Sequence, residues 1–158
     1  MSDKTNVARL CDKEGIDYKL LTFETNDESL DGKSVARLLN VSEDEIFKTL
    51  VTKGASGEIY VFVIPVSGEL NLKKAARASK EKSIEMLALK DLLPTTGYVK
   101  GGCSPIGMKR QFKTYFDETL ILLEQVTFNA GKVGYQLQVP VEDLKRLISY
   151  EIWDLIEE

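Results

Sequence analysis

The chain has 158 residues, of which 43% are hydrophobic and 29% charged, and its net charge at pH 7 is −4. It contains no histidine, which excludes a Ser-His-Asp triad, a Cys-His pair and a His-ligated zinc. Its two cysteines, Cys11 and Cys103, lack the spacing of a metal site, and no apolar run reaches the ~20 residues that span a bilayer. We therefore expect one domain over residues 1–158, cytoplasmic, with free thiols and with neither metal nor cofactor.

The first half of the chain predicts two helices and three strands. A helix over residues 3–14 ends at Gly15, and a strand (16–23), an acidic loop (24–31) and a second helix (32–40) follow. Residues 46–54 form a strand that places Ile46, Lys48 and Leu50 on one face. Residues 59–64 are apolar throughout, which is typical of a central strand covered on both faces.

The second half predicts more strands than helices. Asn71 begins a helix over 72–79, and a short strand (83–86), a helix (88–93) and a strand (97–100) lead into a glycine loop. Strands at 113–116, 125–128 and 135–139 precede a helix at 141–149, and the acidic tail predicts one more helical turn that packs Trp153 onto the body. Helices and strands do not strictly alternate, so we expect an α+β fold whose mixed sheet is closed or barrel-like and flanked by helices.

Lys48 lies on an otherwise apolar strand face. Burial of an unpaired ammonium costs free energy, so the side chain either extends to solvent at the start of the strand or lies at the mouth of a pocket. In the second interpretation it binds a phosphate or a carbonyl oxygen.

The segment KGGCSPIG, residues 100–107, is the second candidate. Gly101 and Gly102 allow close backbone approach to a ligand, and Pro105 stiffens the loop. The pattern predicts either a structural turn or amide donors arranged as an oxyanion hole. It is not a phosphate-binding Walker A loop, because Met108 stands where that motif has lysine. Cys103 has no histidine base, so we interpret it as a small buried hydrophobe rather than a nucleophile.

Residues 129–134, NAGKVG, predict the turn of a hairpin. The segment is either a plain β-turn, or it places Asn129 and Gln136 at a pocket rim as neutral hydrogen-bonding groups.

Positive charge is concentrated in residues 70–115, which hold ten cations and three anions in a protein of net charge −4. Such asymmetry indicates either solvated helix faces or a local phosphate-binding surface on an acidic protein.

Four segments together resemble the YbaK/EbsC family of aminoacyl-tRNA deacylases. They are FKTLVTKG, VIPVSGELNLKKAARA, TTGYVKGGCSPIGMKRQFKT and NAGKVGYQLQV, and the similarity extends in order over residues 5–148. The resemblance implies a mixed β-barrel flanked by helices, related to the editing domain of bacterial prolyl-tRNA synthetase. It also implies trans-editing of Cys-tRNA(Pro), in which the thiol of the substrate attacks its own ester and no enzymatic base is needed.

The resemblance also implies the site residues. The essential lysine of the family falls on Lys48, and the glycine of its substrate loop falls on Gly101, with Gly102 beside it. Residues that would contact the substrate are Phe23, Thr49, Ser104, Pro105, Asn129 and Gln136. The implied partners are the acylated 3′ end of tRNA and prolyl-tRNA synthetase. We expect no association with a membrane, and we expect the protein to be a monomer or a weak homodimer.

The chain departs from the best-known family member at several of these positions. That protein has tyrosine at the position of Phe23, phenylalanine at that of Asp31, serine at that of Asn129 and aspartate at that of Gln136. These changes alter the polarity of the pocket. Three alternatives therefore stay open: a deacylase that uses water on another misacylated tRNA, a tRNA-binding or regulatory module without catalysis, and a structural partner of another protein.

Overall fold

The computed structural model describes residues 4–25 and 30–158. Its helices and strands are, in chain order, α1 Asn6–Glu14, β1 Lys19–Thr22, α2 Gly32–Leu39, β2 Phe47–Gly54, β3 Ile59–Pro65, α3 Leu72–Ser79, β4 Ile84–Met86, α4 Leu89–Thr96, β5 Lys113–Asp117, β6 Gln125–Lys132, β7 Tyr135–Pro140 and β8 Glu151–Trp153. Short 3-10 helices at Glu118–Leu122 and Val141–Arg146 follow β5 and β7. The predicted loop at 24–31 includes residues 26–29, which lie outside the described residues.

The strands form two sheets. The larger has the order β4-β2-β3-β5-β8, in which β2 is antiparallel to β3 and β4, while β3, β5 and β8 are parallel. The smaller sheet is antiparallel with the order β1-β7-β6. The predicted α+β class and mixed strand directions are confirmed.

Of the predicted closed or barrel-like sheet, the closed form is absent among the described strands, and the reason lies along one edge of β2. This edge bridges to β6 where Ile46 pairs with Thr127. It pairs with β4 only from Thr52 onward, preceded by a bond from the Leu87 N–H to the Val51 carbonyl. Between these points no described strand pairs with the edge, so Lys48, Thr49 and Leu50 border an opening between the two sheets.

The core confirms that β3 is buried on both faces. Val61 and Val63 belong to the cluster between the sheets, around Phe116 and Phe128, whereas Phe62 and Ile64 belong to the cluster beneath α3. A third, smaller cluster of Val35, Ala36, Ile46 and Val66 lies beneath α2 and borders the opening beside β2.

Side-chain caps fix where the helices begin. Thr5, Asp31 and Asn71 each accept a hydrogen bond from the backbone N–H three residues later, at 3.2, 2.8 and 3.0 Å. The predicted cap at Asn71 is confirmed, as is the end of α1 at Gly15, which has a φ of 68°. Asp31 therefore sets the start of α2 at the opening.

Several predicted elements in the second half differ from the structure. The helix α4 continues through Pro94 to Thr96. Proline has no N–H, so the carbonyl four residues earlier, that of Lys90, loses its helical partner. Because Lys90 is exposed, the helix tolerates this loss. Residues 97–100 are irregular rather than a strand, and the predicted helix at 141–149 is a 3-10 helix followed by loop.

The tail forms a strand instead of a helical turn. β8 occupies the edge of β5, and the buried carboxylate of Asp117 accepts a hydrogen bond from the Leu155 N–H at 2.9 Å. This bond holds the tail extended, and Trp153 remains 36% exposed. None of the helices in the described residues is long and apolar enough to cross a bilayer.

Hydrogen bonds to Glu81 connect the turn between β2 and β3 to the end of α3, and we expect their contribution to stability to depend on pH. Its carboxylate accepts bonds from the Ser56 hydroxyl and the Tyr60 hydroxyl, both at 2.6 Å, and from the Ser56 N–H at 3.0 Å. The bonds from Ser56, followed by that from Tyr60, lower the pKa of Glu81 below its ordinary value of 4.5. A carboxyl with a lowered folded pKa stabilises the fold above its unfolded pKa, and this stabilisation is lost as the pH falls through the folded pKa.

The variant Glu81→Gln is therefore expected to have a lower free energy of unfolding than the wild type at pH 7, with a difference that shrinks below about pH 4. Urea unfolding at pH 7 and pH 3 measures this. Glu85→Gln, at an exposed position of β4, is the matched control and should change stability little at either pH. A difference for Glu81→Gln that is the same at both pH values would contradict the prediction.

Candidate active site

A cavity of about 160 Å³ lies against the open edge of β2; we call it the central cavity. One part of the lining is apolar, from Leu30, Gly32, Val35, Ile46, Phe47 and Val66. The remaining lining is more polar and comes from three elements: Lys48 and Thr49 of β2, Gly101 and Cys103 of the glycine loop, and Asn129 and Gln136 of the smaller sheet. Its size is close to that of the ~150 Å³ engineered cavity that binds benzene, so it accommodates a small side chain.

Lys48 lies on the side of the central cavity that opens to solvent. Its side chain is 29% exposed, and its Nζ is 3.7 Å from Oε1 of Glu69, whose own side chain is 79% exposed. A partly exposed ion pair at this distance is weak. The structure therefore favours the pocket interpretation of Lys48, with an ammonium that exchanges its exposed partner for a ligand at little cost.

Two buried polar atoms at the cavity have no partner among the described residues. They are the Thr49 hydroxyl oxygen and Oε1 of Gln136, and Gln136 as a whole is only 7% exposed. Leaving such atoms unpaired costs about 1–3 kcal/mol each. Both residues line the central cavity, so rotation of either side chain would bring its covered oxygen to a polar group bound there.

Asn129 joins the glycine loop to the smaller sheet. Its Nδ2 donates to the Gly101 carbonyl at 2.8 Å, and its Oδ1 accepts from the N–H groups of Gly131 and Lys132 at 2.6 and 3.1 Å. It also lies directly opposite Gln136 in the register of β6 and β7. The structure thus brings Asn129 and Gln136 to one wall, as predicted. The polar atoms of Asn129, however, are used to position the loop.

The glycine loop differs from the predicted oxyanion hole in one respect. Gly101 lines the cavity with a φ of 82°, a conformation that favours glycine. Gly102 is buried, and its N–H already donates to the Val99 carbonyl at 3.0 Å, so the predicted amide donor at Gly102 is not available. A Cβ there would also lie 3.0 Å from the backbone nitrogen of Val133. Gly102 therefore serves close packing, and the loop residues at the cavity are Gly101 and Cys103.

Three predicted substrate-contacting residues lie behind the cavity rather than in its lining. Ser104 is fully buried, and its hydroxyl accepts from the Ile106 N–H at 3.2 Å. Pro105 is buried beside it. Phe23 packs against the apolar cluster under α2. The first two shape the loop, and Phe23 supports the apolar wall.

Cys103 is only partly buried and lines the central cavity, so the predicted role of a small buried hydrophobe is met in part. Burial raises the pKa of its thiol to about 12, so the thiol is protonated at neutral pH and is a poor nucleophile. Cys11 likewise has its pKa raised to about 11 by burial.

Sequence reasoning missed Glu69 and most of the apolar wall. Glu69 is 21 positions from Lys48 in the chain, and no spacing rule connects the two. Gly32 did carry a usable signal, since a glycine in the first turn of a helix indicates close packing. A Cβ at Gly32 would lie 2.4 Å from Cγ1 of Val66.

The basic segment 70–115 is only partly available to bind phosphates. Lys74 is turned toward the tail, where its Nζ lies 3.0 Å from the Asp154 carboxylate and 2.8 Å from the Ile156 carbonyl. The other nine cations are exposed, and one of them, Lys100, adjoins Gly101 in the glycine loop. The structure therefore places one exposed cation of the segment, Lys100, next to the cavity.

Comparison with known proteins defines the class of this fold and site. The chain matches the family model of the aminoacyl-tRNA editing domain over residues 29–147. A solved structure described as a trans-editing enzyme for prolyl-tRNA synthetase superposes with a TM-score of 0.81, covering 100% of this chain and 99% of that one. At 22% identity this likeness shows the shared fold. The chain belongs to the aminoacyl-tRNA editing domain family.

Two relatives place it more narrowly. EbsC of Enterococcus faecalis, provisionally named a Cys-tRNA(Pro)/Cys-tRNA(Cys) deacylase, is 45% identical over 144 residues, which are 91% of this chain and 88% of EbsC. A proline–tRNA ligase of Kosmotoga olearia is 29% identical over 103 residues, which are 65% of this chain and 18% of the ligase. The predicted resemblance to the YbaK/EbsC family is confirmed.

Proposed function

We propose that this editing deacylase hydrolyses cysteine from tRNA(Pro) that has been charged with the wrong amino acid. The observation that carries the proposal is that Lys48 and Gly101 line one small cavity, beside the exposed cation Lys100. Family membership supports deacylation of aminoacyl-tRNA, and the 45% identity to EbsC supports the cysteinyl substrate.

The physical need for such an enzyme follows from the size of the amino acids. Cysteine and proline have similar volumes, and one methylene or its isostere is worth only about 1–3 kcal/mol in binding. A synthetase site built for proline therefore cannot strongly reject cysteine, and a second site that removes the error is the remedy.

In this proposal each group of lining residues has a separate role in binding or polarising the substrate. The Lys48 ammonium binds the terminal phosphate or ribose of the RNA. The amides of Gly101 and Cys103 polarise the ester carbonyl, in the manner of an oxyanion hole. After rotation of their side chains toward the cavity, the unpaired oxygens of Thr49 and Gln136 accept hydrogen bonds from the ribose and from the α-ammonium of the amino acid.

The reaction needs no strong base from the protein. The chain has no histidine, and the pKa of Cys103 is raised to about 12. In our proposal the thiol of the bound cysteine attacks its own carbonyl carbon. A C–S bond forms, the C–O ester bond breaks, and the thiol proton passes to the ribose oxygen. The products are uncharged tRNA and a cyclic thiolactone, which water then opens.

The test is deacylation of purified Cys-tRNA(Pro) beside Ala-tRNA(Pro), Ser-tRNA and Pro-tRNA(Pro). We expect rapid loss of cysteine and much slower loss of the other three amino acids, because those lack a thiol. Equal rates for alanyl and cysteinyl esters would show that water, not the substrate thiol, attacks. Salt-dependent tRNA binding without loss of any amino acid would indicate a binding module without catalysis.

One observation favours a second candidate, a deacylase that uses water on another misacylated tRNA. The neutral pair of Asn129 and Gln136 leaves one wall of the cavity polar but uncharged, and Oε1 of Gln136 is unpaired. This wall suits a small polar side chain such as that of serine. The same panel of esters decides between the candidates.

A further inference from the structure

A second, larger cavity adjoins the central one and has no role in the steps above. Its volume is about 330 Å³, and its walls are mostly apolar, from Leu50, Met86, Leu89 and Leu92, with Lys100 at its margin. Thr49, Gly101 and Cys103 line both cavities, so these three residues form a ridge between them. We call the second cavity the apolar groove.

Part of this groove exposes side chains that a monomeric protein usually covers. Met86 is 48% exposed and Leu89 is 61% exposed. Both lie where β4 ends and α4 begins, with Leu50 and Leu92 beside them in the groove. A continuous apolar surface of this kind, with a polar edge, marks a binding site.

We propose that the apolar groove binds the terminal adenine base of the RNA, an inference that rests on the proposed function. The covalent structure of the substrate supports this occupant. In an aminoacyl-tRNA the amino acid and the base are attached to the same ribose. With the amino acid in the central cavity and the ribose on the ridge, the base lies on the other side of the ridge, in the groove.

The chemistry of the groove agrees with this placement. A purine is flat and largely apolar on its faces, and it packs against the side chains of Leu50, Met86 and Leu89. Thr49 lies on the ridge, and its covered hydroxyl oxygen, which has no partner among the described residues, accepts a bond from a ribose hydroxyl once the side chain rotates. Lys100 lies at the margin of the groove and contacts a backbone phosphate further toward the 5′ side. The terminal phosphate or the ribose remains at Lys48, which lines the central cavity.

The decisive experiment measures binding of uncharged tRNA with and without its 3′-terminal adenosine, by fluorescence anisotropy at one salt concentration. Wild-type protein should lose about tenfold in affinity when the adenosine is absent, and a variant with Met86→Gln and Leu89→Gln should lose about tenfold for the intact tRNA only. Both substitutions are neutral, so they leave the attraction to phosphates unchanged. Leu93→Gln is the matched control, since Leu93 is 52% exposed on the same helix but outside the groove.

A second readout is independent of catalysis. In NMR spectra, adenosine 5′-monophosphate at millimolar concentration should shift the Met86 methyl signal, whereas ribose 5-phosphate should not. Two results would overturn the proposal and point to a protein partner at the groove. One is that the double variant loses affinity for both tRNAs equally, and the other is that the nucleotide does not shift the Met86 methyl signal. Failure of the proposed function is seen separately, as wild-type protein that binds the nucleotide but cleaves no ester.

Discussion

Replacing Lys48 by alanine or methionine is expected to reduce kcat/KM for deacylation at least about a hundredfold, which corresponds to ~2.7 kcal/mol of transition-state stabilisation. Among the described residues, Lys48 is the one that brings a full charge to the lining of the central cavity, where it faces a phosphate or a developing oxyanion. Methionine retains much of the apolar stem and removes the ammonium, so the pair of variants separates charge from packing.

The fold should survive these substitutions. The Lys48 ammonium contacts the exposed Glu69 carboxylate at 3.7 Å, and such pairs contribute about 0–1 kcal/mol to stability. Thermal unfolding measures this directly. Lys53→Met is the matched control, because Lys53 is exposed on the same strand and outside the cavity. Activity of Lys48→Ala within about tenfold of wild type, ~1.4 kcal/mol, would show that its proposed role is wrong.

Glu69→Gln extends the same test. If Glu69 only holds the ammonium until substrate arrives, its replacement should leave kcat nearly unchanged and lower KM slightly, since phosphate then competes with no carboxylate. A loss of kcat comparable with that of Lys48→Met would instead make Glu69 part of the reacting site.

The fold followed from the sequence where local rules apply. Asn71 begins α3 because its short side chain reaches the Lys74 N–H, and the unbroken apolar run of β3 requires cover on both faces. The tail was mispredicted because its state depends on the distant carboxylate of Asp117, which holds the Leu155 N–H. The amphipathic pattern of the tail suited a helix equally well.

The residues of the site were predictable from the sequence, whereas their hydrogen-bond partners, which are distant in the chain, were not. A lysine among apolar neighbours, Lys48, and the paired glycines at 101 and 102 are unusual enough to indicate a pocket. The family resemblance then favoured the functional interpretation of each motif over the structural one. The hydrogen bonds of these groups were not predictable. Whether Gly102 is a donor to substrate depends on the Val99 carbonyl, and the role of Asn129 depends on a loop 28 positions away.

Asn129→Ala is expected to lower kcat for deacylation about a hundredfold through the position of the glycine loop. The substitution removes the donor to the Gly101 carbonyl and the acceptor for the Gly131 and Lys132 N–H groups. A shift of the loop by about 1 Å would misalign the Gly101 amide with the ester carbonyl, and displacements of that size cost about 10²-fold. Stability should fall by only about 1 kcal/mol, because Asn129 lies at the surface end of the hairpin.

Two further variants show whether loop position is the cause. Asn129→Asp keeps an acceptor for the two turn N–H groups but places an oxygen against the Gly101 carbonyl, so activity should fall while stability changes little. Gln138→Ala removes another side-chain amide bond of the same sheet, that to the Thr127 hydroxyl at 3.2 Å, outside the cavity lining, and should leave kcat unchanged. Because the loop acts on the bound ester, we expect Asn129→Ala to lower kcat and to leave KM nearly unchanged. A change confined to KM would mean that Asn129 contacts the RNA directly and does not hold the loop.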